Sequence, residues 1–208
     1  MRYLLIFFPF VIALGQSQQS TEAAASGIEV KVSASWYQPK LDPLNQAYAN
    51  LEQALGYRLW GNSSIMYSLN LEGLYPLFPR QSVVVEFGGS VSGRVHQDDR
   101  SLVTIWRGGA GYRYGFLDEP LRVSGQGTIG YLREGFARSY NGGDQSINAV
   151  KGTWYFTVVG VASYPVLKGT SVELTLGYTF VPSVTMTTPA TKVDLKAPVV
   201  GLGFAFSI

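Results

Sequence analysis

From residue 28 to the C-terminus the chain alternates between apolar and polar positions. Along IEVKVSASWY, Val30, Val32, Ala34 and Trp36 fall on one side and Glu29, Lys31, Ser33 and Ser35 on the other, since successive side chains of a strand point to opposite faces. The same period of two recurs at about 64–73, where Ile65, Tyr67, Leu69 and Leu71 oppose Met66, Ser68, Asn70 and Glu72. At about 82–95, Val83, Val85, Phe87, Val91 and Val95 oppose Glu86, Ser90, Ser92 and Arg94. At about 102–114, Trp106, Ala110, Tyr112 and Tyr114 oppose Arg107 and Arg113, with Val103 and Ile105 blurring the start. At about 121–132, Val123, Ile129 and Tyr131 oppose Arg122, Ser124, Gln126 and Thr128. At about 152–164, Trp154, Phe156, Val158, Ala162 and Tyr164 oppose Tyr155, Thr157 and Ser163, while Val159 and Val161 weaken the contrast. SVELTLGYTF is the cleanest segment, with Glu173 on its polar side, and VVGLGFAFSI sets Val200, Leu202, Phe204, Phe206 and Ile208 against Gly and Ala. Eight such segments of about ten residues predict eight strands and an antiparallel β-barrel.

The connections have a rhythm of their own. LYPLFPRQ (74–81), GFLDEP (115–120) and PVLKGT (165–170) join Pro to Gly or a charge and read as short turns after the even strands. The connections after the first, fifth and seventh strands read as longer and polar, and HQDDR after the third as short. Short turns at one end and mostly longer loops at the other suit an up-and-down barrel in an outer membrane. The first long connection predicts a helix. Asp42 can cap it, Pro43 fits its first position, Gly56 lies just past its end, and Leu44, Tyr48, Leu51 and Leu55 share one face. That stripe predicts a helix packed over the barrel rim; a lid or partner surface is the alternative.

Composition sharpens the choice of solvent for the apolar face. Charged residues make up 14% of the chain, against about 25% in ordinary soluble proteins. The apolar face carries aromatics near both strand ends: Trp36, Tyr67, Trp106, Tyr131, Trp154 and Phe180 at the long-loop end, and Tyr112, Tyr114, Tyr164 and Phe206 at the other. Two such girdles mark membrane interfaces. A soluble lipocalin-like barrel binding an apolar ligand is the inverse arrangement. The first 15 residues read as a signal peptide, with Arg2, an apolar run over 3–14 and the small-x-small Ala13-Leu14-Gly15; an N-terminal anchor is the alternative. Residues 16–26 read as a flexible lead-in and 27–208 as the barrel domain. A net charge of +2 with no basic run gives no sign of nucleic-acid binding, and the absence of Cys excludes disulfides and thiolate sites.

The alternating strands, the turn rhythm, the leader and the closing GLGFAFSI resemble the small outer-membrane β-barrels of Gram-negative-type bacteria, the OmpA, OmpX and OmpW group. The resemblance covers about residues 27–208 and implies an outer-membrane location, contact with membrane lipid, and a last strand read by the barrel-assembly machinery. That group usually ends on Phe; here Phe206 stands two residues before a terminal Ile208. On this reading no OmpA-type periplasmic domain is expected after the barrel.

An eight-stranded barrel is narrow enough for side chains to fill, so the polar face predicts a lumen plugged by ion pairs. The candidates are Glu29, Lys31, Glu86, Arg94, Arg107, Arg113, Arg122 and Glu173, and hairpin counting places Glu86 between Arg113 and Arg122. Catalytic chemistry has little footing. His96, the sole histidine, lies near Asp98, Asp99 and Ser101 without a recognisable motif, Asn141-Gly142-Gly143-Asp144 is a weak hint of Ca²⁺, and no cofactor or metal site is expected. The expectation is a non-enzymatic, monomeric barrel with a structural or surface-interaction role, its contact surface in the loops after strands one, five and seven. The alternatives are a narrow channel, with Arg94 and Arg107 favouring anions, and a lipid-modifying enzyme.

Overall fold

The computed structural model describes residues 27–56, 66–96, 99–118, 120–140, 145–187 and 190–208; the leader and the lead-in lie outside them. Eight strands close a barrel: β1 (Glu29–Tyr37), β2 (Met66–Phe78), β3 (Gln81–His96), β4 (Asp99–Leu117), β5 (Arg122–Tyr140), β6 (Gln145–Leu167), β7 (Thr170–Phe180) and β10 (Ala197–Ser207). Each pairs antiparallel with its neighbours, and β10 closes on β1 from Glu29↔Ser207 to Tyr37↔Val199. Closure leaves the membrane-level backbone without an edge, as a lipid-embedded sheet requires. Ile28 and Ile208 meet at one end, where the Ile208 amide donates to the Ile28 carbonyl at 2.9 Å. The turns at Arg80 and Gly169 lie there too: the Gly115 amide donates to the Arg80 carbonyl and the Ser207 amide to that of Gly169.

The alternation decides which face meets which medium. Lys31, Ser33 and Ser35 are buried while Val32, Ala34 and Trp36 between them are exposed. Mid-strand apolar residues all round the wall stand open, Leu69 at 65%, Val85 at 59%, Ile129 at 62% and Leu176 at 52%. An apolar outer belt of that extent has no place in water and belongs in the hydrocarbon of a bilayer. Phe87 against Trp106, Tyr131 against Trp154, and Phe156 and Tyr178 around Phe180 form ring pairs on it. On β5 the belt ends at Tyr131, and the next outward residue is the exposed Arg133.

The barrel wall is taller than the periodicity predicts. Within residues 133–151, expected to hold a long loop, 133–140 and 145–151 extend β5 and β6 as one regular ladder up to Tyr140↔Gln145. β6 has 23 residues and β5 has 19, whereas β1 has 9 and β7 and β10 have 11 each. The mouth is therefore high on the β4–β6 side and low on the β7–β10–β1 side. Two segments rise from the low side and fold inward. One is α1 (Asp42–Leu55) after β1; the other is a hairpin of β8 (Val184–Thr187) and β9 (Ala190–Val193) after β7, which periodicity does not reveal. Lys40 bridges to Asp194 and joins them. The N-cap of α1 is Leu41, not Asp42: Asp42 is the first helical residue, where its charge suits the positive end of the helix dipole. Gly56 ends α1 with φ 77°, its N–H returning to the carbonyls of Glu52 and Gln53.

Candidate functional site

The lumen is organised in layers, each traceable to inward positions of the alternation. Nearest the terminal end are four buried charges. Lys31 Nζ lies 3.0 Å from Glu72 Oε1 and 3.2 Å from Glu173 Oε2. Arg113 bonds Glu173 Oε1 at 3.1 Å and Glu72 Oε2 at 3.4 Å. Two cations and two carboxylates sum to zero, and each charge meets two of the opposite sign. Gln126 braces the group: its Oε1 accepts from Arg113 Nε at 2.9 Å, and its amide donates to Glu72 at 3.2 Å. Lys31 also donates to Thr175 Oγ1 at 3.2 Å. With Lys31 1% exposed, such a cluster is tolerable only because it is closed on itself.

This corrects the expected role of Glu86. In register Arg113 faces Ser82 and Glu86 faces Gly109, so the two are well separated along the wall. Arg113 reaches instead to Glu72 on β2 and Glu173 on β7. Arg122 stands at the barrel end beside Glu29, 3.7 Å away and half exposed. Glu86 accepts from the Tyr155 hydroxyl at 2.5 Å. That bond crosses two strands. Glu86, Gly109, Gly130 and Tyr155 share one register row, and the phenol ring lies over the two glycines. A Cβ on Gly109 would come 2.5 Å from the Tyr155 hydroxyl, and one on Gly130 would come 2.7 Å from the ring. Asn70, Gly88 and Arg107 repeat the device one row higher. Arg107 Nη2 donates to Asn70 Oδ1 at 2.9 Å across Gly88, and Asn70 in turn donates to Ser35 Oγ at 3.0 Å. Among the predicted lumen residues only Arg94 has a side chain outside the described set. Glu72, Asn70, Gln126 and Tyr155 were legible as inward positions, but nothing in the sequence pattern assigns their partners.

Between the four-charge cluster and the mouth is a chamber of about 30 Å³ lined by Asn70, Glu86, Arg107, Ser35 and Thr157 among others. That is room for one or two waters. Above it the lumen turns apolar. Val103 and Ile105, which blurred the alternation of the fourth strand, point inward there with Leu132 and Phe136. They join Leu41, Leu44 and Tyr48 of the first loop segment and Val184, Val193 and Leu195 of the second in one buried cluster. The Tyr37 hydroxyl donates to the Leu195 carbonyl and ties β1 to the hairpin. The helix and hairpin thus form a lid seated in the barrel mouth. Its outward face is polar, with Asp42, Gln46, Asn50 and Gln53 exposed.

Among the described residues no group of three or more His, Cys, Asp or Glu side chains is placed to hold a metal. The side chains of His96, Asp99 and Ser101, and all of Asp98 and 141–144, lie outside the described set.

No protein-family model matches the chain, and no curated protein matches its sequence. Solved structures do resemble it over most of its length. Neisserial surface protein A aligns with 90% of this chain and 100% of its own at a TM-score of 0.59 and 11% identity. Ail, the attachment invasion locus protein of Yersinia pestis, solved with the heparin analogue sucrose octasulfate, aligns with 88% of this chain and 97% of its own at 0.55 and 14%. A major outer membrane protein from Thermus thermophilus aligns with 89% and 100% at 0.55 and 12%. Likeness at such identities speaks for the fold alone. Together with the closed eight-stranded wall and the apolar belt, it shows that the chain has the fold of the small outer-membrane β-barrels.

Proposed function

We propose that the protein is a non-conducting, non-enzymatic outer-membrane barrel that holds a folded platform at the cell surface. One observation carries the reading: the lumen is occluded twice, by the self-neutralised cluster of Lys31, Glu72, Arg113 and Glu173 and by the apolar underside of the lid. The intervening chamber is too small for a hydrated solute to pass through. A wall so closed serves as an anchor, and its outward working end is the lid together with the tall β4–β6 side. The contact surface is then the loops after β1 and β7, already folded together. Lys40, Lys192 and Lys196 are exposed there, with Lys196 paired to Asp194 at 3.2 Å. In this reading the protein is a monomer whose last strand is read during assembly. Planar-bilayer recording of the purified barrel tests it. No discrete current steps are expected at neutral pH; reproducible openings would replace the anchor with the narrow-channel reading.

A further inference from the structure

Glu134 has no role in the occlusion just described. It sits on β5 between Leu132 and Phe136, three residues above the girdle residue Tyr131 and beyond the outward Arg133. Its register neighbours are Ile105 on β4 and Lys151 on β6. It is 0% exposed, and neither carboxyl oxygen has a hydrogen-bond partner. Leu132, Ile105 and Phe136 around it belong to the apolar cluster that the lid completes. The other titratable or charged groups that are buried here or act on Tyr37 alongside Glu134 are Arg107 on β4, Tyr37 on β1, Asp194 beside the hairpin, and Tyr48 and Glu52 on α1, while Asp42 on α1 and Lys192 on β9 are exposed. Arg107 is committed to Asn70 and Tyr37 to the Leu195 carbonyl. A carboxylate sealed in apolar surroundings is costly when ionised and cheap when protonated.

We propose that the lid is a proton-operated latch, closed over a neutral Glu134 and loosened when that carboxyl ionises. Opening the lid gives the carboxylate water; closing it takes the water away. Burial pushes the Glu134 carboxyl up to about 7, against a partial opposing pull from Lys151. The direction follows from linkage. A group whose closed-state pKa is raised stabilises the closed state fully below its ordinary value of about 4.5, and that stabilisation is lost as pH rises through about 7. The lid is therefore tightest in mildly acidic surroundings and opens more often as the pH rises to neutral and alkaline, while the ion cluster beneath it keeps the lumen closed.

The chain has no Cys, so single reporters are clean. Leu44→Cys and Val193→Cys place a thiol on the buried underside of the lid, and Ser183→Cys supplies an exposed reference. Maleimide labelling of each reporter in lipid nanodiscs, divided by the reference rate, is followed from pH 5 to pH 8.5 with Glu134 present and with Glu134→Gln. The expected result is a rise on the order of a hundredfold with a midpoint near 7, abolished by Glu134→Gln. Hydrogen exchange over residues 42–55, corrected for its intrinsic pH dependence, reads the same opening in the unlabelled chain and decides if a reporter fails to fold. A flat profile with Glu134 present, or an equal rise in Glu134→Gln, would overturn the latch.

Discussion

At the scale of single residues, the lumen is fixed by a few long reaches across glycines. Tyr155 spans Gly130 and Gly109 to donate to Glu86. Tyr155→Phe leaves that carboxylate without its donor and should cost about 1–3 kcal/mol in urea unfolding from detergent or lipid. Gly130→Ala forces a methyl into the ring and the neighbouring backbone and should cost about as much, in the range of overpacked sites. Gly160→Ala, whose new Cβ would meet its nearest atom at 3.8 Å, is the neutral comparison. The ion cluster gives a second test. Removing Lys31 leaves Glu72 and Glu173 short of positive charge, and Lys31→Ala should cost about 3–5 kcal/mol. A double-mutant cycle should find strong coupling between Arg113 and Glu173 and none between Arg113 and Glu86. Which residues face inward was legible from alternation. Who pairs with whom was not, because Arg113 and Glu173 lie on strands that are not neighbours and meet only once the barrel closes. Hairpin counting compares adjacent strands and is blind to the far wall.

At the scale of elements, the unequal strand heights explain the lid. The wall is low where β7, β10 and β1 end, and the segments leaving β1 and β7 are separated there only by β10. Both turn inward over an apolar floor set by Val103, Ile105, Leu132 and Phe136 on the high side. The helix could be read from Pro43, Gly56 and the Leu44–Tyr48 spacing, since those signals are local. The floor could not: Val103 and Ile105 looked like faults in the alternation, whereas they are inward residues of a lumen that changes from polar to apolar. The β8–β9 hairpin was also missed, because four-residue strands carry too little periodicity to stand out from a polar loop. Leu44 anchors the helix to this floor at 2% exposure. Leu44→Ala should speed tryptic cleavage of the lid about tenfold or more while the barrel stays intact, since a local element can open below the global free energy. Cleavage and unfolding that change together would contradict a separately seated lid.

At the scale of the whole molecule, the chain inverts the usual relation between side chain and solvent. Its outside is a belt of Val, Leu, Phe, Tyr and Trp, and its inside holds paired charges, amides and hydroxyls. That inversion was the most legible feature of the sequence, because strand periodicity sorts residues into two sets before any contact is known, and the low content of charge says which set meets lipid. In lipid the wall gains from every outward apolar side chain; in water the same belt would drive aggregation. The most direct measurement is refolding of the chain from urea into detergent micelles and, in parallel, into plain buffer, with unboiled and boiled samples compared on a gel. The expected result is a heat-dependent mobility shift in detergent and aggregation in buffer. A soluble, monomeric, heat-modifiable species formed in plain buffer would contradict the lipid-facing belt and turn the barrel's assignment of inside and outside around.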